Sequence, residues 1–92
     1  MAYLLIRGSV KDYEAWKSVF VSANAMRTGY GQKSYQILRE GDGSNDPIVL
    51  LQWDSLDNAR RFAASSELKE VMQRAGVIGR PEMWFLEEAA RG

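Results

Sequence analysis

Three stretches of this chain are apolar at every position: Leu4-Leu5-Ile6, Ile48-Val49-Leu50-Leu51 and Met83-Trp84-Phe85-Leu86. Side chains alternate across a strand, so a run without polar positions must bury both faces. A fourth stretch, about Gln32 to Glu40, alternates instead. Tyr35 and Ile37 share a parity with Lys33 and Arg39, while Ser34, Gln36 and Leu38 lie on the other. Such a strand suits a sheet edge with one wetter face. Between these runs the period changes. Tyr13, Ala15, Trp16, Val19, Phe20, Ala23 and Met26 recur mostly at offsets of three and four and mark one broad helical face. Leu56, Ala59, Phe62 and Ala63 begin a second helix, Ser65-Ser66 interrupts it, and Leu68, Val71 and Met72 continue it. The order is β-α-β-β-α-β.

Local signals set the expected boundaries. Strand 1 covers about Ala2 to Arg7 and ends at Gly8. Helix 1 opens either at Ser9, in a capping-box spacing with Asp12, or at Asp12 itself. Gly29 and Gly31 close it. Gly41 to Pro47 reads as a loop and the most flexible segment. Asp54 or Ser55 opens the second helix, and Gly76 fits its C′ position. Val77-Ile78-Gly79-Arg80-Pro81 reads as a connector. Strand 4 covers about Glu82 to Glu87, and the last four residues form a tail.

This order predicts an α+β class and a ferredoxin-like βαββαβ fold: a four-stranded antiparallel sheet, order 4-1-3-2, with helices on one face. The whole chain, 1–92, forms a single domain. Two of the all-apolar runs then fall in the sheet centre and the alternating run at an edge. Strand 4 is the misfit, since an exposed edge carrying Trp84 and Phe85 needs cover. Two helices cover one face of the sheet, and a second copy is the simplest cover for the other. A homodimer through the open sheet face and strand 4, closing into a dimeric α+β barrel, is therefore expected.

Composition narrows the function classes. Twelve Lys and Arg balance twelve Asp and Glu, for a net charge of zero. Nucleic acid and anionic membranes are recognised by a basic excess that this chain lacks. The RNA-binding signature that shares this topology is also missing from Ile48 to Trp53. No Cys and no His are present, which removes thiolate catalysis, zinc-thiolate sites and the commonest general base. No metal site is expected, because the acidic residues around Gly41 to Pro47 lack calcium-loop spacing. Gly41-Asp42-Gly43-Ser44 is not a phosphate loop. No apolar stretch approaches the roughly 20 residues of a membrane span, and no basic region precedes the first apolar run. A cytoplasmic protein is expected.

Several residues could carry chemistry, each against a blander alternative. Trp16, Phe20 and Trp53 are core or interface anchors, or walls of a ligand pocket between helix 1 and the sheet. Arg7 and Arg39 end strands 1 and 2, where charge usually meets water; either could bind an anionic or enolate oxygen at a pocket mouth, Arg39 being the better placed. Asn24 and Arg27 share a helical face. Arg27 is explained by the negative end of the helix dipole. Asn24 is odd among alanines and, if inward, needs a partner or ligand. Tyr13 and Tyr35 are core residues or proton donors.

Four stretches carry a resemblance: Val10-x-Asp12-Tyr13-x-x-Trp16-Lys17-x-x-Phe20; Arg27-x-x-Tyr30-Gly31 with Tyr35; Gln52-Trp53-Asp54-Ser55-Leu56-Asp57-x-Ala59; and Leu68-x-x-x-Met72-x-x-Ala75-Gly76-Val77. Together they resemble the dimeric α+β barrel superfamily, and within it the small cyclase and antibiotic-biosynthesis-monooxygenase-like proteins. The resemblance spans nearly the whole chain. It implies a homodimer with a pocket between sheet and helices. Relatives include cofactor-free oxygenases of aromatic polyketides, polyketide cyclases and haem-degrading enzymes. The last use a His iron ligand, and this chain has none, so haem is rejected and no cofactor is expected. Two readings follow. One is a cofactor-independent monooxygenase or cyclase of a small apolar, aromatic or polyketide-like compound. Trp16 and Trp53 would hold the ring, Arg39 would stabilise an enolate, and Tyr35 or Asn24 would orient it. The other is a non-catalytic dimeric module for small-molecule binding or assembly.

Overall fold

The structure, a computed structural model, describes residues 1–42 and 45–92. Strands β1 (Ala2–Val10), β2 (Gln32–Leu38), β3 (Ile48–Trp53) and β4 (Val77–Glu87) form one sheet in the order β2-β3-β1-β4. Every pairing is antiparallel. From the other edge this is 4-1-3-2, the order expected from the apolar runs. Helices α1 (Tyr13–Ser22), α2 (Asn24–Tyr30), α3 (Leu56–Ala63) and α4 (Ser66–Arg74) cover one face. The loop expected from Gly41 to Pro47 includes Gly43 and Ser44, which lie outside the described residues.

Side-chain caps start three of the helices. Asp12 accepts from the Ala15 N–H at 3.1 Å, which decides for Asp12 over Ser9. Ser55 and Ser65 accept from the Asn58 and Leu68 N–H groups, each at 3.1 Å. The first helix, expected to be continuous, breaks at Ala23. There the Ser22 hydroxyl donates back to the Val19 carbonyl at 2.8 Å and competes with the helix ladder. Gly31 ends α2 with φ +118. A Cβ at that position would lie 2.5 Å from the Asp54 carboxylate, while the Asp54 N–H donates to the Gly31 carbonyl at 3.0 Å. This packing fastens the α2–β2 turn onto the end of β3.

Two strands are longer than expected. β1 continues past a register shift between Arg7 and Ser9 to pair Val10 with Val77. The stretch Val77 to Pro81 is therefore strand and not connector. Pro81 reads as a breaker, but β4 lies at the sheet edge, where a missing N–H is tolerated.

Alternation sorts the sheet into two faces. Leu4, Val49, Leu51 and Trp53 point under the helices and are buried. Tyr3, Leu5, Leu50, Trp84 and Leu86 point to the opposite, open face. Phe85 pairs with Leu4 and packs against the core, so it belongs to the helix-covered face; of the two expected interface aromatics, only Trp84 presents its ring to the open side.

Candidate functional site

Between the helices and the covered side of the sheet lies a cavity of about 70 Å³. Ile6, Val49 and Leu51 supply its sheet side, and Trp16, Phe20 and Met72 contribute from the helices. Its wall is apolar except for Arg27, the one charged side chain lining it among the described residues. The stripe that supplies this wall runs Trp16, Phe20, Ala23, Arg27, at offsets of four, three and four. Although the helix breaks at Ala23, the stripe continues into α2 and all four residues are buried.

Arg27 is only 2% exposed. Its Nε donates to Gln32 Oε1 at 2.8 Å, Nη1 to the Phe20 carbonyl at 2.8 Å, and Nη2 to Asn24 Oδ1 at 3.5 Å. Gln32, also buried, donates through Nε2 to the same Asn24 oxygen at 2.9 Å. The guanidinium carbon sits 3.7 Å from the Phe20 ring centroid and 5.3 Å from that of Tyr35. All three acceptors are neutral. Burial lowers the Arg27 pKa from the ordinary guanidinium value to about 10, an effect that Tyr35 partly offsets. The group stays cationic at neutral pH, and the low-polarity wall strengthens its field.

The other expected site residues divide into those that meet this cluster and those that do not. Trp16 and Phe20 line the cavity, with ring centroids 5.1 Å apart and nearly parallel planes. Tyr35 meets the Phe20 ring edge-on at 5.1 Å. Asn24 is exposed itself but joins Arg27 to Gln32. Arg39 lies beyond β2 with its guanidinium 4.2 Å from the Tyr13 ring centroid, at the far end of the same aromatic row. Trp53 is buried beneath α3 against Phe62, with centroids 5.1 Å apart, and stands apart from Trp16. Its Nε1–H has no acceptor among the described residues. Arg7 was expected at the pocket mouth. It shares the parity of Tyr3 and Leu5, so it projects from the open face and pairs with Glu40 at 3.2 Å.

Sequence reasoning missed Arg27 and Gln32 as the polar centre. Arg27 read as a surface residue at a helix end, yet it falls seven residues after Phe20 on the apolar stripe. A charge at a stripe position is the signal that could have found it. The arrangement can hold an apolar body against Trp16 and Phe20 and stabilise negative charge beside it. No cluster of potential metal ligands is present among the described residues, and no helix there is long and apolar enough to cross a membrane.

Solved structures share this α+β fold over nearly the whole chain. SnoaB, a cofactor-independent oxygenase from Streptomyces nogalater, superposes with a TM-score of 0.79 at 20% identity, over 98% of this chain and 94% of its own. A candidate antibiotic biosynthesis monooxygenase from Bordetella bronchiseptica gives 0.81 at 12% identity, over 97% of both chains. One from Caulobacter crescentus gives 0.73 at 17% identity, over 97% of this chain and 90% of its own. No protein-family model matches the chain, and no curated protein matches it in sequence.

Proposed function

We propose that this protein is a cofactor-independent monooxygenase or cyclase that takes a small apolar, aromatic or polyketide-like compound into the cavity between helices and sheet. The observation that carries this reading is the apolar cavity walled by Trp16 and Phe20, in a fold shared with a cofactor-independent oxygenase. Trp16 and Phe20 hold the ring. Tyr35 and Asn24 act on the site through Arg27, which both touch. In the oxygenation, an activated CH2 group loses a proton, and the resulting carbanion passes one electron to dioxygen. The radical pair then closes a C–O bond. The peroxide takes up a proton and loses water, so CH2 becomes C=O, one oxygen atom stays in the product and the other leaves as water.

At about 70 Å³ the cavity is about half the size of one that accepts benzene. Ring entry therefore needs the half-buried Met26 and Met72 to move, and unbranched thioether chains do so readily. The test is titration with phenolic polyketide analogues, following Trp fluorescence together with oxygen uptake and product formation. Saturable quenching with stoichiometric oxygen consumption supports the monooxygenase, and cyclised product supports the cyclase. One observation favours the second reading, a non-catalytic binding module: the cavity wall offers no carboxylate or imidazole to take a proton. Binding without turnover would establish that reading instead.

The functional unit in this proposal is a homodimer. Trp84 and Leu86, each 40% exposed, and Leu38, 46% exposed, share the open face with Leu5 and Leu50. A second copy placed face to face buries this patch on both subunits at once. A cytoplasmic location fits the same proposal.

A further inference from the structure

We propose that the cavity takes an oxyanion: its ligand is an apolar compound ending in a carboxylate or an ionised phenol, and Arg27 binds the negative oxygen. The inference rests on the cavity being the ligand site. Its basis is a buried cation that no anion balances. Arg27 bonds the Gln32 side chain, the Phe20 carbonyl and the Asn24 side chain, all neutral. Three of its five N–H donors are used, and among the described residues the other two meet no acceptor. No acidic side chain among the described residues bonds it: Glu40 pairs with Arg7, Asp54 accepts from Asn58 and Glu67 accepts from Tyr30.

A purely structural role explains little of this arrangement. The Phe20 carbonyl already accepts the Ala23 N–H at 3.3 Å, so the end of α1 does not need a guanidinium. Gln32 and Asn24 bond each other without Arg27. A buried charge without a counter-ion is costly, and an apolar side chain of the same length would avoid that cost. The partners instead hold the guanidinium plane in place: Gln32 and the Phe20 carbonyl fix Nε and Nη1, and the Phe20 ring lies 3.7 Å from its carbon. A fixed planar fork suits the two oxygens of a carboxylate and also serves a single phenolate oxygen.

The experiment compares ligands of equal shape and unequal charge. Benzoate and benzamide are titrated against the intact protein, with Trp fluorescence as the readout. In parallel, 4-nitrophenol is titrated with pH, and its visible absorbance reports ionisation on the protein. A charge-assisted contact predicts that benzoate binds at least about tenfold tighter than benzamide, or that bound 4-nitrophenol ionises at lower pH than free. The first result assigns the carboxylate and the second the phenolate. Arg27→Gln should abolish either preference, so that benzoate binds no tighter than benzamide and bound 4-nitrophenol ionises no more readily than free. If Arg27→Gln does not fold, Arg27→Lys serves, keeping the charge without the fork and retaining a smaller preference. Benzamide binding as tightly as benzoate, with no shift for 4-nitrophenol, overturns the oxyanion proposal and leaves the cavity reading standing. A preference that survives in Arg27→Gln also overturns it. Binding of none of the three overturns both.

Discussion

Replacing Trp84 with Asp tests the proposed dimer directly. Trp84 lies on the open face, opposite Leu5 on β1, and keeps 40% of its surface exposed. A large aromatic side chain offers about 200 Å², so about 80 Å² of this ring is left for a partner. At about 25 cal/mol per Å², its burial contributes about 2 kcal/mol per subunit. In a two-fold interface the residue occurs twice, which gives about 4 kcal/mol, or about three orders of magnitude in dissociation constant. The carboxylate of Asp adds a desolvation cost to that loss. Sedimentation velocity over a concentration series is the assay. The wild-type chain should sediment as a dimer, and Trp84→Asp should sediment as a folded monomer at the same concentration, with unchanged far-ultraviolet circular dichroism. Phe85→Asp is the contrasting variant. Phe85 packs against the core with Arg60 over its ring at 5.6 Å, so a charge there should lower the melting temperature rather than merely separate subunits. A wild-type monomer, or a Trp84→Asp dimer of undiminished affinity, would refute the reasoning.

Three further outcomes are expected. Phe62 is 1% exposed and packs on Trp53 and Tyr30, so Phe62→Ala should cost about 3–5 kcal/mol, read as a lower urea midpoint at constant slope. Gly31→Ala should cost about 1–3 kcal/mol in the same assay, since a Cβ at φ +118 is strained and runs into Asp54. Arg27→Met leaves Gln32 Oε1 without a donor, at about 1–3 kcal/mol, but removes an unbalanced buried charge, a change often neutral or stabilising by about 1–4 kcal/mol. Its melting temperature should equal or exceed the wild-type value. The lowered pKa fixes the sign with pH: the burial penalty is whole below about pH 10 and is relieved only as pH rises from there toward the ordinary guanidinium value. The difference in melting temperature should therefore be constant across neutral and mildly alkaline pH. A melting temperature well below wild type would mark Arg27 as a structural clamp.

The strand order was legible because periodicity reports which faces are buried. The all-apolar runs Leu4 to Ile6 and Ile48 to Leu51 belong to central strands, and the alternating run to edge strand β2. The caps were legible to within a choice, Ser9 or Asp12 and Asp54 or Ser55, because a short oxygen-bearing side chain before an apolar stripe has few other uses, and the structure selects Asp12 and Ser55. The start of β4 was not. Gly79 and Pro81 are breakers by local chemistry, and only the edge position of the strand overrides them. The break at Ala23 was hidden too, since it depends on one Ser22 hydroxyl bond rather than on a Gly or Pro. Within the candidate site, Trp16 and Phe20 were legible as a wall because they share one helical stripe. Arg27 was discounted because long cations at helix ends usually reach water. Trp53 looked like a second wall, but residues at strand ends can meet different helices, and α3 covers it.

Pro81 has one more consequence. An uncovered outer strand can recruit further chains and grow sideways into fibrils. The outer strand here is eleven residues long, yet a pyrrolidine ring interrupts its row of donors, and Arg80, Glu82 and Glu87 set charges on both sides. Lateral growth is thus confined to the six residues after the ring, an apolar run bracketed by Glu82 and Glu87, so the same residue that disguised this strand in the sequence also shortens the rim open to uncontrolled polymerisation.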